Sequence, residues 1–525
     1  MGRLYLISWC GAESNRRHMD FQSIALPTEL PHLQTFFQRV CKDIPFFESE
    51  KSCSSIFLLP EILCTFGYNS MSPSLWLCGS LSIFALMQIV PQVIFAIILG
   101  VGVYIFSKNV GTIRKNILSG RDEDRSDRKA DRWKTMLRVA FGQSKMAVRP
   151  IPAMLHFIVY AGFILINIEV LEIIIDGLFG THRVLDVLGP VYDAAIGFFE
   201  VLAVLVLISC VLFLTRRFIA RISRFHAPEM KGWPTKDATN ILVIEIVLML
   251  ALLVMNAADY ALQQHGADHY TASGAFPVSS MLFPIFDGMA DGTLMIIERT
   301  AWWFHIVGIL AFLNYLPFSK HFHIILAFPN TYYSKLKPAG EIPNMESVTN
   351  EVKMMMGMPV EGAEDAPPPE SFGAKDVNDL SWTNLMNAYS CTECGRCTSV
   401  CPANQTGKLL SPRKVMMDTR DRLEEFGKIR DGKLENDESK NVHSYISAEE
   451  LWACTSCNAC TDACPVNIDP LDIIMQMRQY LVMEQSNAPQ ELNMMFTNME
   501  NNGAPWQFPP SDRDQWKNDL TTNQA

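Results

Sequence analysis

The sequence predicts a mainly α protein: a five-helix transmembrane bundle followed by a water-soluble helical domain. Two observations carry this. Of 525 residues 49% are hydrophobic, yet the apolar runs crowd into residues 81–330, and the last 190 residues read as soluble. Near the end a cysteine pattern is written twice, each time closed by proline: "CTECGRCTSVCP" from Cys391 to Pro402 and "CTSCNACTDACP" from Cys454 to Pro465. The net charge of −11 argues against nucleic acid as a partner.

Residues 1–86 fit poorly with the rest of the chain. "RLYLISWC" is a short apolar stretch without a convincing cleavage site. Cys10, Cys41, Cys53, Cys64 and Cys78 show no metal spacing. The segment is read as an N-terminal extension whose place in the mature protein is open, with Met71 and Met87 as alternative starts.

Residues 87–330 form the membrane domain. A span needs about 20 mostly apolar residues to cross about 30 Å of hydrocarbon. Five runs qualify, at 87–107, 151–175, 194–215, 239–260 and 300–325, the last interrupted by Pro317. Buried helices of a soluble protein are the alternative, and five such runs on one chain disfavour it. Lys and Arg set the orientation. The loop after the first span is rich in them from Lys108 to Arg149, and the loop after the third carries Arg216, Arg217, Arg221, Arg224, Lys231 and Lys236. The loop after the second span has only Arg183, and that after the fourth only Arg299. The loops after spans one, three and five therefore face the cytoplasm, and the cysteine motifs with them. The expected location is the cytoplasmic membrane, with the cysteine domain inside the cell.

Ionisable groups inside spans are costly and need a reason. His156 lies early in the second span, and His305 and His323 lie in the fifth, 18 residues apart. On an unbroken helix that is five turns, one face, and about 27 Å. Pro317 is expected to bend this. His321 points roughly the other way. A single histidine of this kind caps a helix or bonds at the interface. A set of three suits haem, whose iron takes imidazole from both sides. Glu169, Glu172 and Glu245 also fall in spans, and a carboxylate relay would serve quinone, which moves protons with electrons. For Glu172 an internal bond or helix-end solvation is at least as good an account.

Residues 331–380 are rich in Pro, Gly and acidic residues and read as a linker, with "VTNEVKMMM" as a short helix. Residues 381–485 hold the cysteine motifs. Cys-x2-Cys-x2-Cys-x3-Cys-Pro, written twice, signals two [4Fe–4S] clusters, the fourth cysteine of each run reaching the other cluster. Cys391, Cys394, Cys397 and Cys464 are assigned to one, and Cys454, Cys457, Cys460 and Cys401 to the other. Zinc sites of four cysteines use two separated pairs, which this is not. Between the motifs, 412–440 reads as an inserted charged helix and loop. After the second, "NIDPLDIIMQMRQYLVMEQ" reads as an amphipathic helix packing over the clusters. Residues 486–525 read as a polar, flexible, partner-docking tail.

Two resemblances sharpen this. "FHIVGILAFLNYLPFSKHFHI" resembles the haem b membrane subunit of respiratory nitrate reductase, the gamma subunit. The resemblance implies five spans, an outside N-terminus, and a haem b held by His156 and His323 near the cytoplasm. His305 matches a ligand of a second, outer haem, but its partner position falls on Ile166, with Asn167 as a weak substitute. "ECGRCTSVCPANQTGKLLSPRK" and "PWQFPPSDRDQW" resemble the iron–sulfur subunits of heterodisulfide reductase and glycolate oxidase. In those families a Cys-Cys-Gly-rich domain follows, which implies a separate cysteine-rich subunit here. Fusions of the two parts are found among enzymes joining electron-transferring flavoprotein to menaquinone.

The expected function is electron transfer between cytoplasmic [4Fe–4S] clusters and the quinone pool through haem b. The soluble donor is a flavoprotein or the cysteine-rich subunit. The alternatives are quinol oxidation feeding a heterodisulfide or sulfur-compound reductase, and a haem-free membrane anchor for a ferredoxin module.

Overall fold

The computed structural model describes residues 74–270, 272–338, 341–342, 344–360 and 372–522, without side chains for 74–88, 519, 521 and 522. The chain falls into two units, Met1–Val90 and Pro91–Ala525, and the contacts below belong to the second. The reading of 1–86 lies almost entirely outside the described residues.

Five helices are long and apolar enough to cross a membrane. They are α1 (Ser74–Ile117), α2 (Pro150–Phe179), α3 (Pro190–Phe218), α4 (Trp233–His265) and α5 (Asp291–Tyr315). Each extends past its apolar run because the flanking residues keep the helix going. Proline in the first turn of α2, α3 and α4 costs no hydrogen bond there and presets φ. Outward faces carry large apolar side chains, among them Ile97, Tyr104 and Phe157, each more than half exposed, as a lipid-facing surface requires.

α2 packs on α3, α3 on α4, and α4 along α5. Phe95 of α1 meets Trp302 and Trp303 of α5 at 5.5 and 5.9 Å. At the end of the bundle away from the cysteine motifs, Arg183 is buried. Its Nε donates to Asp259 at 2.6 Å, and its two Nη atoms donate to Tyr192 at 3.0 Å and Asn256 at 3.1 Å. A buried charge persists only when paired and fully bonded, as here.

The fifth apolar run is not one helix. α5 ends at Tyr315, two 3₁₀ turns follow at Leu316–Phe318 and Lys320–Phe322, and α6 starts afresh at His323 and runs to Tyr332. Ser319 between the turns is extended. Pro317 thus breaks the helix rather than bending it, and His305 and His323 do not share a helical face.

The soluble domain is helical: α7 (Trp382–Ser390), α8 (Arg396–Val400), α9 (Pro412–Arg430), α10 (Ala459–Ala463), α11 (Pro470–Met483) and α12 (Gln490–Asn502). α9 and α11 correspond to the inserted charged helix and the amphipathic helix read from the sequence. The predicted linker gives up both ends. Residues up to Tyr332 belong to α6, and from 372 onward the chain is tied to the cysteine domain. Ala374 N donates to Gln476 O at 2.9 Å, and Arg422 Nη2 reaches Asp376 at 2.6 Å. The short linker helix spans Glu346–Met355, while 361–371 lie outside the described residues. The tail read as flexible holds α12. Leu492, Met495, Phe496 and Met499 recur at helical spacing, a signal that polar composition masks.

The cysteine domain is docked on the bundle at several points. Arg121 N donates to Leu380 O at 2.8 Å, and Trp382 N returns the bond to Arg121 O at 3.0 Å. Trp382 Nε1 donates to Glu123 O at 3.0 Å, and Asn330 Nδ2 donates to Val466 O at 2.8 Å. Gly120 makes the first of these contacts possible. A Cβ there would lie 2.7 Å from Leu380 O and 2.9 Å from Trp382 N, both backbone. Gly120→Ala should therefore destabilise the docked domain by about 1–3 kcal/mol, read as a lower thermal midpoint in detergent. An unchanged midpoint would show that the junction yields freely.

Candidate functional site: two cysteine loops and a histidine cavity

The cysteine motifs fold as a structural repeat. Each opens with a cysteine, turns through two left-handed residues, runs one short helix, and ends on the fourth cysteine. The left-handed positions are Glu393 (φ 54°) and Gly395 (φ 68°) in the first, and Ser456 (φ 56°) and Asn458 (φ 61°) in the second. Glycine and asparagine enter this region most easily, and Glu393 and Ser456 are the strained pair. The turn makes cysteines three apart converge. α8 and α10 then pack against each other and cross the two motifs over.

Cys391, Cys394, Cys397 and Cys464 line one small cavity. The structure thus brings the last cysteine of the second motif to the first three of the first. Cys454 is within electrostatic reach of Cys401 and Cys457, the converse arrangement. Backbone N–H groups point at the sulfurs: Ile468 N lies 3.3 Å from Cys464 Sγ and Ser456 N 3.4 Å from Cys454 Sγ. Burial pushes Cys391 up to about 11 and Cys460 and Cys464 up to about 12. Thiolates here therefore require the positive charge of a metal centre. Among the described residues no three His, Cys, Asp or Glu side chains are placed to hold a single metal ion. Cys457 is the exposed one of the eight.

Next to the first cysteine group opens a cavity of about 460 Å³ that runs into the bundle. That lies within the roughly 300–1,000 Å³ of sites for sizeable organic ligands. His156, His305, His321 and His323 line it, with Glu245 among them, and its rim includes Cys394 and Pro465. The rings of His156 and His323 lie 6.4 Å apart between centroids, tilted 44° to each other. Two metal–imidazole bonds of about 2 Å each, plus the inner half of each ring, fill that separation. Both rings are oriented through Nδ1: His156 against Gln143 Oε1 at 3.1 Å, His323 against Lys320 O at 3.0 Å. His305 is held the same way, by Leu248 O at 3.0 Å. Tying one ring nitrogen to a carbonyl and presenting the other is how metal-binding histidines are set.

His321 also lines the cavity, 5.6 Å from His323, which corrects the expectation that it points away. The helix break resets the phase between His305 and the pair that follows. Ile166 and Asn167 line the cavity, but Asn167 donates to Phe163 O. Of the three carboxylates, Glu245 lines the cavity. Glu169 is buried with Oε1 lacking a hydrogen-bond partner. Glu172 is spent internally, on Leu185 N at 2.9 Å and Tyr192 OH at 3.0 Å.

Sequence reasoning missed the arginines at the cavity mouth. Arg216, Arg217, Arg224 and Arg396 line it, and Arg217 Nη1 is buried without a hydrogen-bond partner. Arg216, Arg217 and Arg224 were legible only as loop charge that orients the spans, and Arg396 only as part of the first cysteine motif.

Residues 390–468 match the family described as 4Fe-4S dicluster domain. The chain carries two-cluster iron–sulfur machinery. It is 30% identical over 457 residues to "Probable iron-sulfur-binding oxidoreductase FadF" of Bacillus subtilis (strain 168), covering 81% of this chain and 60% of that protein. It is 26% identical over 415 residues to "EtfAB:quinone oxidoreductase" of Syntrophomonas wolfei, covering 74% of this chain and 54% of the other. A shorter match, 30% over 106 residues, is to a subunit of the CoB-CoM heterodisulfide reductase of Methanosarcina acetivorans, covering 20% of this chain and 53% of that one. The homologues are thus iron–sulfur oxidoreductases, and this chain spans about 60% or less of the length of each. No solved structure matches.

Proposed function

We propose that the chain conducts electrons between two [4Fe–4S] clusters and the quinone pool through a haem b held in the bundle. The observation that carries this is the pair His156 and His323, in a cavity whose rim is the first cysteine loop. Cys391, Cys394, Cys397 and Cys464 hold the cluster beside the cavity. Cys454, Cys457, Cys460 and Cys401 hold the one toward the exposed Cys457, where a partner exchanges electrons. The haem supplies a one-electron step inside the hydrocarbon. Imidazoles orient it, and the mouth arginines match the carboxylates a porphyrin carries. His305 also lines the cavity, and among the described residues no ring contact pairs it with a second histidine, so one haem is the reading, with a second at His305 a matter for measurement.

The loop charges support a cluster domain on the cytoplasmic side and a bundle in the cytoplasmic membrane. The similarity to an EtfAB:quinone oxidoreductase supports a flavoprotein donor and a quinone as acceptor. The likeness to a heterodisulfide reductase subunit supports a further oxidoreductase subunit as the other partner. The likeness to part of a heterodisulfide reductase supports the reverse direction as the second reading, with quinol as donor.

A reduced-minus-oxidised spectrum of the protein purified from membranes tests the proposal. Bands of b-type haem are expected. Their absence leaves a haem-free anchor for a ferredoxin module. If Glu169 carries protons to the quinone, Glu169→Gln slows quinone-linked turnover on the order of 100-fold with haem content unchanged. Turnover equal to wild type removes it from that role.

A further inference from the structure

Lys320 sits at the break between α5 and α6 and touches both halves of the site. Its carbonyl accepts from His323 Nδ1 at 3.0 Å. Its ammonium is paired with Glu393, which stands between Cys391 and Cys394 in the first cysteine loop. Its backbone N–H donates to Asp237 Oδ2 at 3.1 Å at the start of α4, and Nζ also donates to Pro234 O at 2.6 Å. Glu393 in turn accepts from Arg420 of α9 at 2.8 Å. The two side chains of the pair are 9% and 2% exposed. A pair so buried costs desolvation and is weak evidence of stabilisation. Glu393 moreover holds a left-handed conformation, strained for a glutamate. Together they form a bonded route between the histidine pair and the first cysteine group.

Resting on the haem reading above, we propose that Lys320 and Glu393 are positioning residues that couple the two redox centres. Both side chains line the histidine cavity and Glu393 stands within the first cysteine loop, so their charges together set the potentials of both centres. An electron arriving at either centre adds negative charge. A nearby cation favours the reduced form and a nearby anion disfavours it. The two halves of the pair therefore pull in opposite directions. Lys320→Met leaves Glu393 answered by Arg420 alone and moves the midpoints of both haem and adjacent cluster negative. Glu393→Gln leaves Lys320 only Asp237, at 4.0 Å, and Arg420 only Asp421, at 3.6 Å, and moves both midpoints positive. Lys320→Arg keeps the charge and restores the wild-type values.

The experiment is a spectropotentiometric titration of the haem band, with cluster signals followed by electron paramagnetic resonance, on the full chain in detergent. Opposite shifts for Lys320→Met and Glu393→Gln, with Lys320→Arg near wild type, support the coupling. A tie that is only structural gives shifts of the same sign in both variants, and that outcome overturns it, as do unmoved midpoints. Should Lys320→Met fail to fold, the sign of the Glu393→Gln shift alone decides. Lack of haem in the wild-type protein refutes the haem reading instead, a different result from haem present at unshifted potential.

Discussion

The His156→Ala, His323→Ala double variant should lose essentially all of the inner haem b absorbance while keeping its cluster iron. The reason is geometric. The two rings are 6.4 Å apart and each is anchored at Nδ1, so each offers one nitrogen to a shared centre. Gln143 and the Lys320 carbonyl orient the rings and cannot replace them as haem ligands. His156→Ala leaves one imidazole and should shift the spectrum from six- to five-coordinate iron. His321 is close enough to His323, at 5.6 Å, to stand in for it. His323→Ala therefore needs His321→Ala beside it, and His321→Ala alone should leave the spectrum as it was. His305→Ala should spare the inner haem, and any band it does remove reports a second haem. Full pigment in the double variant would end the proposal.

The second large effect belongs to Cys464. Cys464→Ser should remove the cluster that the first motif builds, although Cys464 belongs to the second. Iron should fall from about eight atoms per chain to about four. The cluster lost is the one beside the histidine cavity, because Cys464 lines its cavity with Cys391, Cys394 and Cys397. Partner reduction of the remaining cluster should persist, and reduction of the haem through it should stop. Cys401→Ser makes the complementary test. It should take the cluster near Cys457 and leave the inner one reducible only by small chemical reductants. If each serine variant instead loses the cluster of its own motif, the crossed assignment is wrong.

Much of this was written in the chain at short range. The five spans follow from apolar runs, and the crossover of the cysteine motifs follows from their repeat. What the sequence did not disclose depends on contacts between distant segments. Whether Pro317 bends or breaks a helix is decided by Asp237, which takes the Lys320 N–H that a continuous helix would have used. That break puts His321 in the cavity against the phase counted from His305. Nothing near Asn116 or Glu123 announces that they meet Tyr389 and Trp382, more than 250 positions away. Gln143 is an ordinary loop residue until the fold brings it to His156. The mouth arginines had a sufficient reason in topology alone, which concealed a second.

The docking of the cysteine domain bears on how quickly charge can pass. Many redox proteins carry a mobile head that swings between donor and acceptor and spends its cycle in transit. Here residues 121 and 123 of one loop and Asn330 of α6 clasp the head, and Lys320 grips it at the first cysteine loop. The internal gap is thereby a built dimension of the molecule. Traffic through it depends on distance and driving force rather than on an arm finding its mark. On the proposed reading, the encounter left to diffusion is with the partner that meets the chain at the exposed Cys457.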